Sequence, residues 1–196
     1  MNSLLDAVVY VVVIPLAWIG LYALLDSHLV SKTAIVSDSL VEMAKSNGDE
    51  VIDALSEKSE YAIGWLKIDD TNINYPVVQG KNNTWFLNRG YTGEFATAGS
   101  LFLDYRNKKD FSDSFSIIYG HRMGNGEMFS DVQKFKNEYF FNMHRRGVLK
   151  LERVNYDLEI VAYAEVDAND WNIYNVDKSR LNSDAETTRE IYDVAT

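Results

Sequence analysis

The spacing of hydrophobic positions changes as the chain proceeds. From Ala7 to Leu25 it is continuous: AVVYVVVIPLAWIGLYALL is 19 residues without a charge, bounded by Asp6 and Asp26. A helix of that length rises ~28 Å, close to the ~30 Å hydrocarbon thickness of a bilayer, so the run predicts a membrane anchor over 7–25 behind a short tail, 1–6. Pro15 should kink this helix, and Trp18 and Tyr22 suit an interfacial position. No basic leader precedes the run and no small-residue cleavage pattern follows it, which favours an uncleaved anchor over a signal peptide. Lys32 is the first basic residue past the span, too small a bias to set the orientation.

From 26 to 60 the spacing becomes helical. Ile35, Val36, Leu40, Met43 and Ala44 form one stripe, and Val51, Ile52 and Leu55 continue it after a break at Asn47-Gly48, with Asp49 as the N-cap of the second helix. Acidic residues outnumber Lys32, Lys45 and Lys58 here, so the opposite face is solvated and the segment reads as a helical stalk folded back onto a larger body. Beyond Tyr61 the runs are strand-like: 61–68, 73–79, 99–105, 115–121, 147–154 and 157–166, rich in β-branched and aromatic residues and separated by Asn, Gly and Asp. They predict a mainly β domain over 61–196, a barrel or sandwich, with a hairpin linked through Asn155-Tyr156. Helical insertions are expected at 84–87 and at 127–142, where Met128, Phe129, Val132, Phe135, Phe140 and Phe141 recur. A last helix, AETTREIYDVA, follows a cap at Ser183 or Asp184.

Composition narrows the chemistry. Lys and Arg total 19 against 29 Asp and Glu, a formal charge of −10, which disfavours binding to phosphate backbones and excludes nucleic acid as an expected partner. The chain contains 0 Cys, so its own residues supply no disulfide, no thiolate zinc site and no thiol nucleophile. His28, His121 and His144 lack the spacing or carboxylate company of a metal centre, and no cofactor motif is present: Gly124-x-Gly126 stands without the further glycine and lysine of a phosphate loop. No G-x-S-x-G elbow points to a serine hydrolase.

His144 belongs to the basic run His144-Arg145-Arg146, which reads as a solvated turn. His121 is different, because it ends the apolar run Ile117-Ile118-Tyr119-Gly120 and opens onto the glycine-bearing loop that follows. An imidazole is thereby placed at the rim of a β domain, and Gly120 permits close approach of another group. A hydrogen-bonded structural histidine fits the same pattern. Asp104-Tyr105-Arg106 ends another strand and reads equally well as a surface ion pair or as a groove lining.

Taken in order, GWLKIDDTNINYPVVQG (64–80), WFLNRGYTGEFATAGSLFLDYRN (85–107) and SIIYGHRMGNGEMFSDVQKF (116–135) resemble the class B sortases, membrane-anchored transpeptidases of Gram-positive bacteria. The likeness runs from Tyr61 to Val166, and Y-P-V-V-Q, A-G-S-x-F-x-D-Y-R-N and I-I-Y-G-H together carry it. It implies a sortase-like β-barrel with helical insertions, placed outside the cell on a single-pass anchor at 7–25 whose N-terminus is inside. It further implies a reaction in which a cysteine thiolate attacks the Thr carbonyl of a C-terminal sorting signal. The acyl-enzyme is then resolved by an amine of peptidoglycan or of pilin. His121 falls on the family's catalytic histidine, a general acid and base, and no cofactor is involved. The family's cysteine, in a T-L-S-T-C type strand, and its oxyanion-stabilising arginine lie downstream of the matched region, and neither position is present here. The resemblance therefore implies an incomplete barrel, truncated before those strands and inactive alone. The alternative that the missing thiol raises is a non-catalytic, membrane-tethered peptide-binding module.

Overall fold

Two-sided burial explains why the central strands are near-continuously apolar. The computed structural model describes residues 9–34, 38–45, 50–124, 126–167 and 174. Strand β1 (Ala62–Ile68) lies at the middle of a six-stranded sheet, with β2 (Asn74–Val78), β3 (Leu101–Leu103) and β4 (Ile118–Tyr119) on one side and β5 (Arg146–Lys150) and β6 (Asn155–Glu159) on the other. The spatial order is β4-β3-β2-β1-β5-β6. All neighbours run antiparallel except β2 and β3, which pair in parallel with Val77 opposite Leu101 and Val78 opposite Phe102. Among the described residues the sheet is open, a half-barrel with β4 and β6 at its edges.

Because side chains alternate across a strand, neighbours in β1 enter different cores. Leu66 joins Ile73, Val77, Leu101, Leu103, Met128 and Leu149 on the concave side. Trp65 points the other way, onto Leu40 and Ala44 of α2 (Asp38–Lys45) and Val51, Ile52 and Leu55 of α3 (Glu50–Lys58). A third cluster forms where Val78 and Phe102 meet Phe86, with Tyr61 set edge-on to the Phe86 ring. Each fully buried aliphatic or aromatic side chain of this kind contributes roughly 1.5–3 kcal/mol. Met43, by contrast, stays exposed.

Several boundaries differ from those the pattern predicts. The link of the β5–β6 hairpin is not Asn155-Tyr156, which lie within β6 and pair with Lys150 and Leu149; the turn is made at Glu152-Arg153, with Leu151 N–H donating to Val154 O at 3.0 Å. The apolar run 115–121 yields only a short strand, and the run 157–166 is paired only as far as Glu159. The insertion expected at 127–142 is divided into a 3-10 helix, Phe129–Lys136, and α4 (Glu138–Met143). Asn137 divides them: its Oδ1 accepts from Phe140 N–H at 3.0 Å and starts a new helix. The insertion at 84–87 is a single 3-10 turn, Trp85–Leu87.

At the N-terminal end, α1 (Ile14–Ala34) follows a π-helical turn, Val9–Val13, and the side chains of residues 10–25 are exposed. Among the described residues no helix is long and apolar enough to cross a membrane. The expected anchor begins outside the described residues, as do the tail 1–6, the Asn47-Gly48 break with its cap Asp49, the pair Ile35-Val36, and the final helix after Ser183.

Candidate functional site

His121 is delivered to the rim by β4 and fixed there from two directions. Gly120 precedes it in a space where a Cβ would run into Leu101 Cδ2 and Phe129 Cδ2, so glycine lets β4 pass between those side chains without displacing them. The His121 carbonyl accepts from Phe129 N–H at 2.9 Å, and its ring Nε2 lies 2.6 Å from the Leu87 carbonyl oxygen. A carbonyl can only accept. Nε2 therefore carries the proton, and in the neutral ring Nδ1 is the nitrogen able to take one up. This arrangement is suited to proton transfer between the imidazole and a group brought to the rim.

The loop that follows is held by side-chain hydroxyls that accept from its backbone. Ser130 Oγ receives Met123 N–H at 2.8 Å, and buried Met128 takes a positive φ of 54° while its N–H donates to Tyr75 Oη at 3.1 Å. Such a φ is uncommon for methionine and is sustained by burial and that hydrogen bond.

On the other flank of β4 lies a polar knot of which the sequence pattern pointed only to Asp104, Tyr105 and Arg106. The Asp104 side chain is fully buried, yet it is ringed by donors. Oδ1 accepts from Arg106 N–H at 2.9 Å and Arg106 Nε at 2.8 Å; Oδ2 accepts from Arg106 Nη2 at 2.7 Å, Asn83 Nδ2 at 2.7 Å and Tyr119 Oη at 3.0 Å. Burial pushes this carboxyl up, but the donors from Arg106, Asn83 and Tyr119 together outweigh it and hold the group down at about 2. The Tyr119 hydroxyl is pushed up to about 12, first by burial and then by its bond to the Asp104 carboxylate. Gln79 Nε2 ties the same turn together by donating to the carbonyls of Asp104 and Asn107, each at 2.8 Å. Asp104 and Arg106 do form an ion pair, but the carboxylate end is in the interior, so a surface pair is the wrong description. Tyr105, between them, is exposed.

The other histidines stand apart. His28 lies in the backbone of α1. His144 Nδ1 lies 2.7 Å from Asp70 Oδ2 with its ring stacked on Phe140, and Arg145 pairs with Glu159 at 3.0 Å. The partners Asp70 and Glu159 are themselves largely exposed, so these are solvent-facing ion pairs, and exposed Arg146 enters β5 instead of a turn. A signal for the knot was present in retrospect: Gln79 and Asp104 are polar residues closing runs that are otherwise buried.

No protein-family model matches the chain. Its sequence is 40% identical over 140 residues to Sortase B of Listeria monocytogenes, an alignment covering 71% of this chain and 52% of that relative. The chain thus spans about half the length of that curated relative. Among solved structures, a Streptococcus pyogenes class B sortase involved in pilus biogenesis is similar with a TM-score of 0.66 at 33% identity, over 73% of this chain and 77% of the other. The structure of sortase B from Listeria monocytogenes gives a TM-score of 0.63 at 33% identity, over 74% and 80% of the two chains.

Proposed function

This chain belongs to the class B sortase family, and we propose that its half-barrel serves the cleavage of a C-terminal sorting signal and the transfer of the acyl-Thr to an amine of peptidoglycan or pilin. The observation that carries this reading is the held imidazole of His121, with Nε2 on the Leu87 carbonyl and Nδ1 left to exchange a proton. In the first half-reaction a thiolate adds to the Thr carbonyl carbon, the peptide C–N bond breaks, and the His121 imidazolium gives its proton to the departing amine. In the second, the acceptor amine attacks the thioester, loses its proton to the neutral imidazole, and expels the thiolate. The chain holds 0 Cys, so the thiol must come from outside these 196 residues, and the chain by itself forms no acyl-enzyme.

The proposal extends to location. The exposed, uniformly apolar side chains from Tyr10 to Leu25 favour seating this segment in a bilayer, with the N-terminus inside and the barrel outside, where exported substrates are met.

The test uses the chain extended past Thr196 by a cysteine-bearing and an arginine-bearing strand, assayed for transpeptidation with a sorting peptide and an amine. His121→Ala should lower the rate of the extended enzyme roughly 10²- to 10⁴-fold, the usual loss for a positioned acid or base, while the 196-residue chain shows no turnover. Near-full activity in folded His121→Ala would overturn the assignment. Saturable peptide binding with no turnover in the extended chain would favour a binding module.

A further inference from the structure

We infer that Asp104 is a positioning residue for the His121 imidazole, acting through Asn83 and the Leu87 carbonyl on one side and through Tyr119 on the other. The inference rests on His121 being the working imidazole.

The first arm runs through a turn whose atoms are each accounted for. Asn83 Oδ1 accepts from Tyr105 N–H at 3.0 Å, which fixes the amide so that Nδ2 faces Asp104 Oδ2. The preceding Asn82 Oδ1 accepts from Thr84 N–H at 3.0 Å and Trp85 N–H at 2.9 Å and so starts the 3-10 turn. That turn is pinned at its far end by buried Phe86, whose carbonyl accepts from Ser100 N–H at 3.1 Å. Its last residue, Leu87, presents the carbonyl that receives His121 Nε2. Gly99 packs beneath this carbonyl, since a Cβ there would lie 2.7 Å from Leu87 O.

The second arm is shorter. Tyr119 donates to Asp104 Oδ2, its ring lies against Phe102 at 5.3 Å, and Asp104 N–H donates to Ile117 O at 2.8 Å, so β4 is held on both sides of Ile118. His121 follows Tyr119 by one intervening glycine. One carboxylate therefore sets both the strand that carries the imidazole and the turn that carries its acceptor. Arg106 supplies the counter-charge that lets this anion stay buried.

The experiment reads the imidazole directly, in the 196-residue chain held in non-ionic detergent, by long-range proton–nitrogen NMR of His121. It measures the tautomer and the exchange rate of the Nε2 proton with water. The unaltered chain should show the Nε2–H tautomer with slowed exchange. Asn83→Ala and Tyr119→Phe should each speed that exchange about tenfold or more, the effect of losing a hydrogen bond to a charged group, with Asp104→Asn faster still. Asp131→Asn removes a different buried carboxylate, one that accepts from Asn72 N–H at 2.7 Å, and should leave His121 unchanged. If Asp104→Asn fails to fold, the two single-arm variants, which keep the Asp104–Arg106 pair, decide the matter. Wild-type tautomer and exchange in both of them would overturn the inference, as would an equal response to Asp131→Asn. Because the readout needs no turnover, its failure would leave the acid–base reading of His121 standing, and the failure of that reading in the transpeptidation assay would leave this one measurable.

Discussion

Asp104 should give the fold a measurable acid sensitivity. Its carboxyl is held at about 2, against an ordinary value of 3.8, because five donated hydrogen bonds overcome the cost of burial. A carboxyl depressed in the folded state stabilises that state above its unfolded value, and the stabilisation is lost as pH falls from there through the folded value. The window is therefore from about pH 5 down to about pH 2, and the shift corresponds to about 2 kcal/mol at its lower end. Acid titration of other carboxylates, such as exposed Asp110, is common to the parent chain and to Asp104→Asn and cancels in the difference. Urea unfolding of both chains in the same detergent, at about pH 6 and about pH 2, isolates the contribution. The stability difference between them should shrink by about 2 kcal/mol on acidification. A difference that stays constant with pH would refute the reasoning, because it would mean that the buried carboxylate keeps its proton affinity when the chain unfolds.

Gly120→Ala should cost about 1–3 kcal/mol in a cooperative thermal or urea transition, since the added methyl forces the buried Leu101 and half-buried Phe129 side chains to shift; a loss below about 0.5 kcal/mol would show that the two side chains move aside freely. A reporter fused after residue 60 should be active only in its extracellular form, and cytoplasmic activity would overturn the proposed orientation.

The sheet was legible to the extent that its side chains alternate between hydrophobic partners. Trp65 and Leu66 are both buried, and so are Val77 and Val78, because helices cover one face and the concave core the other; that is why these runs read as apolar without a clear period of two. Where only one partner exists, the pattern overextended the strand. The apolar residues from Phe115 to Ile117 look like strand, but their backbone serves the polar turn instead: Asn107 Nδ2 donates to Phe115 O and Ile117 N–H donates to Asn107 Oδ1. Likewise Ile160 to Val166 have strand composition, yet among the described residues β6 has only β5 beside it and β5 begins at Arg146, so the ladder ends at the Arg146–Glu159 pair.

The candidate site was legible in a different measure, set by what a side chain can announce about itself. His121 stands out because an imidazole at the end of an apolar strand, after a glycine and before a loop, is a conspicuous placement. Its acceptor does not stand out, because the atom that holds Nε2 is a backbone carbonyl 34 residues away, and every residue carries one. The knot beside it is hidden for a related reason: Asp104 meets Asn83 across 21 residues and Tyr119 across 15, distances at which one polar residue in a sequence says nothing of another. What local reading does constrain is the cost. A carboxylate placed in a run as apolar as Leu101–Leu103 must find several donors or be driven out, and only a fold that brings the turn at Asn83 and the hydroxyl of Tyr119 to the same point can keep it. The buried charge therefore selects the arrangement of the segments around it, and the position of His121 follows from that arrangement.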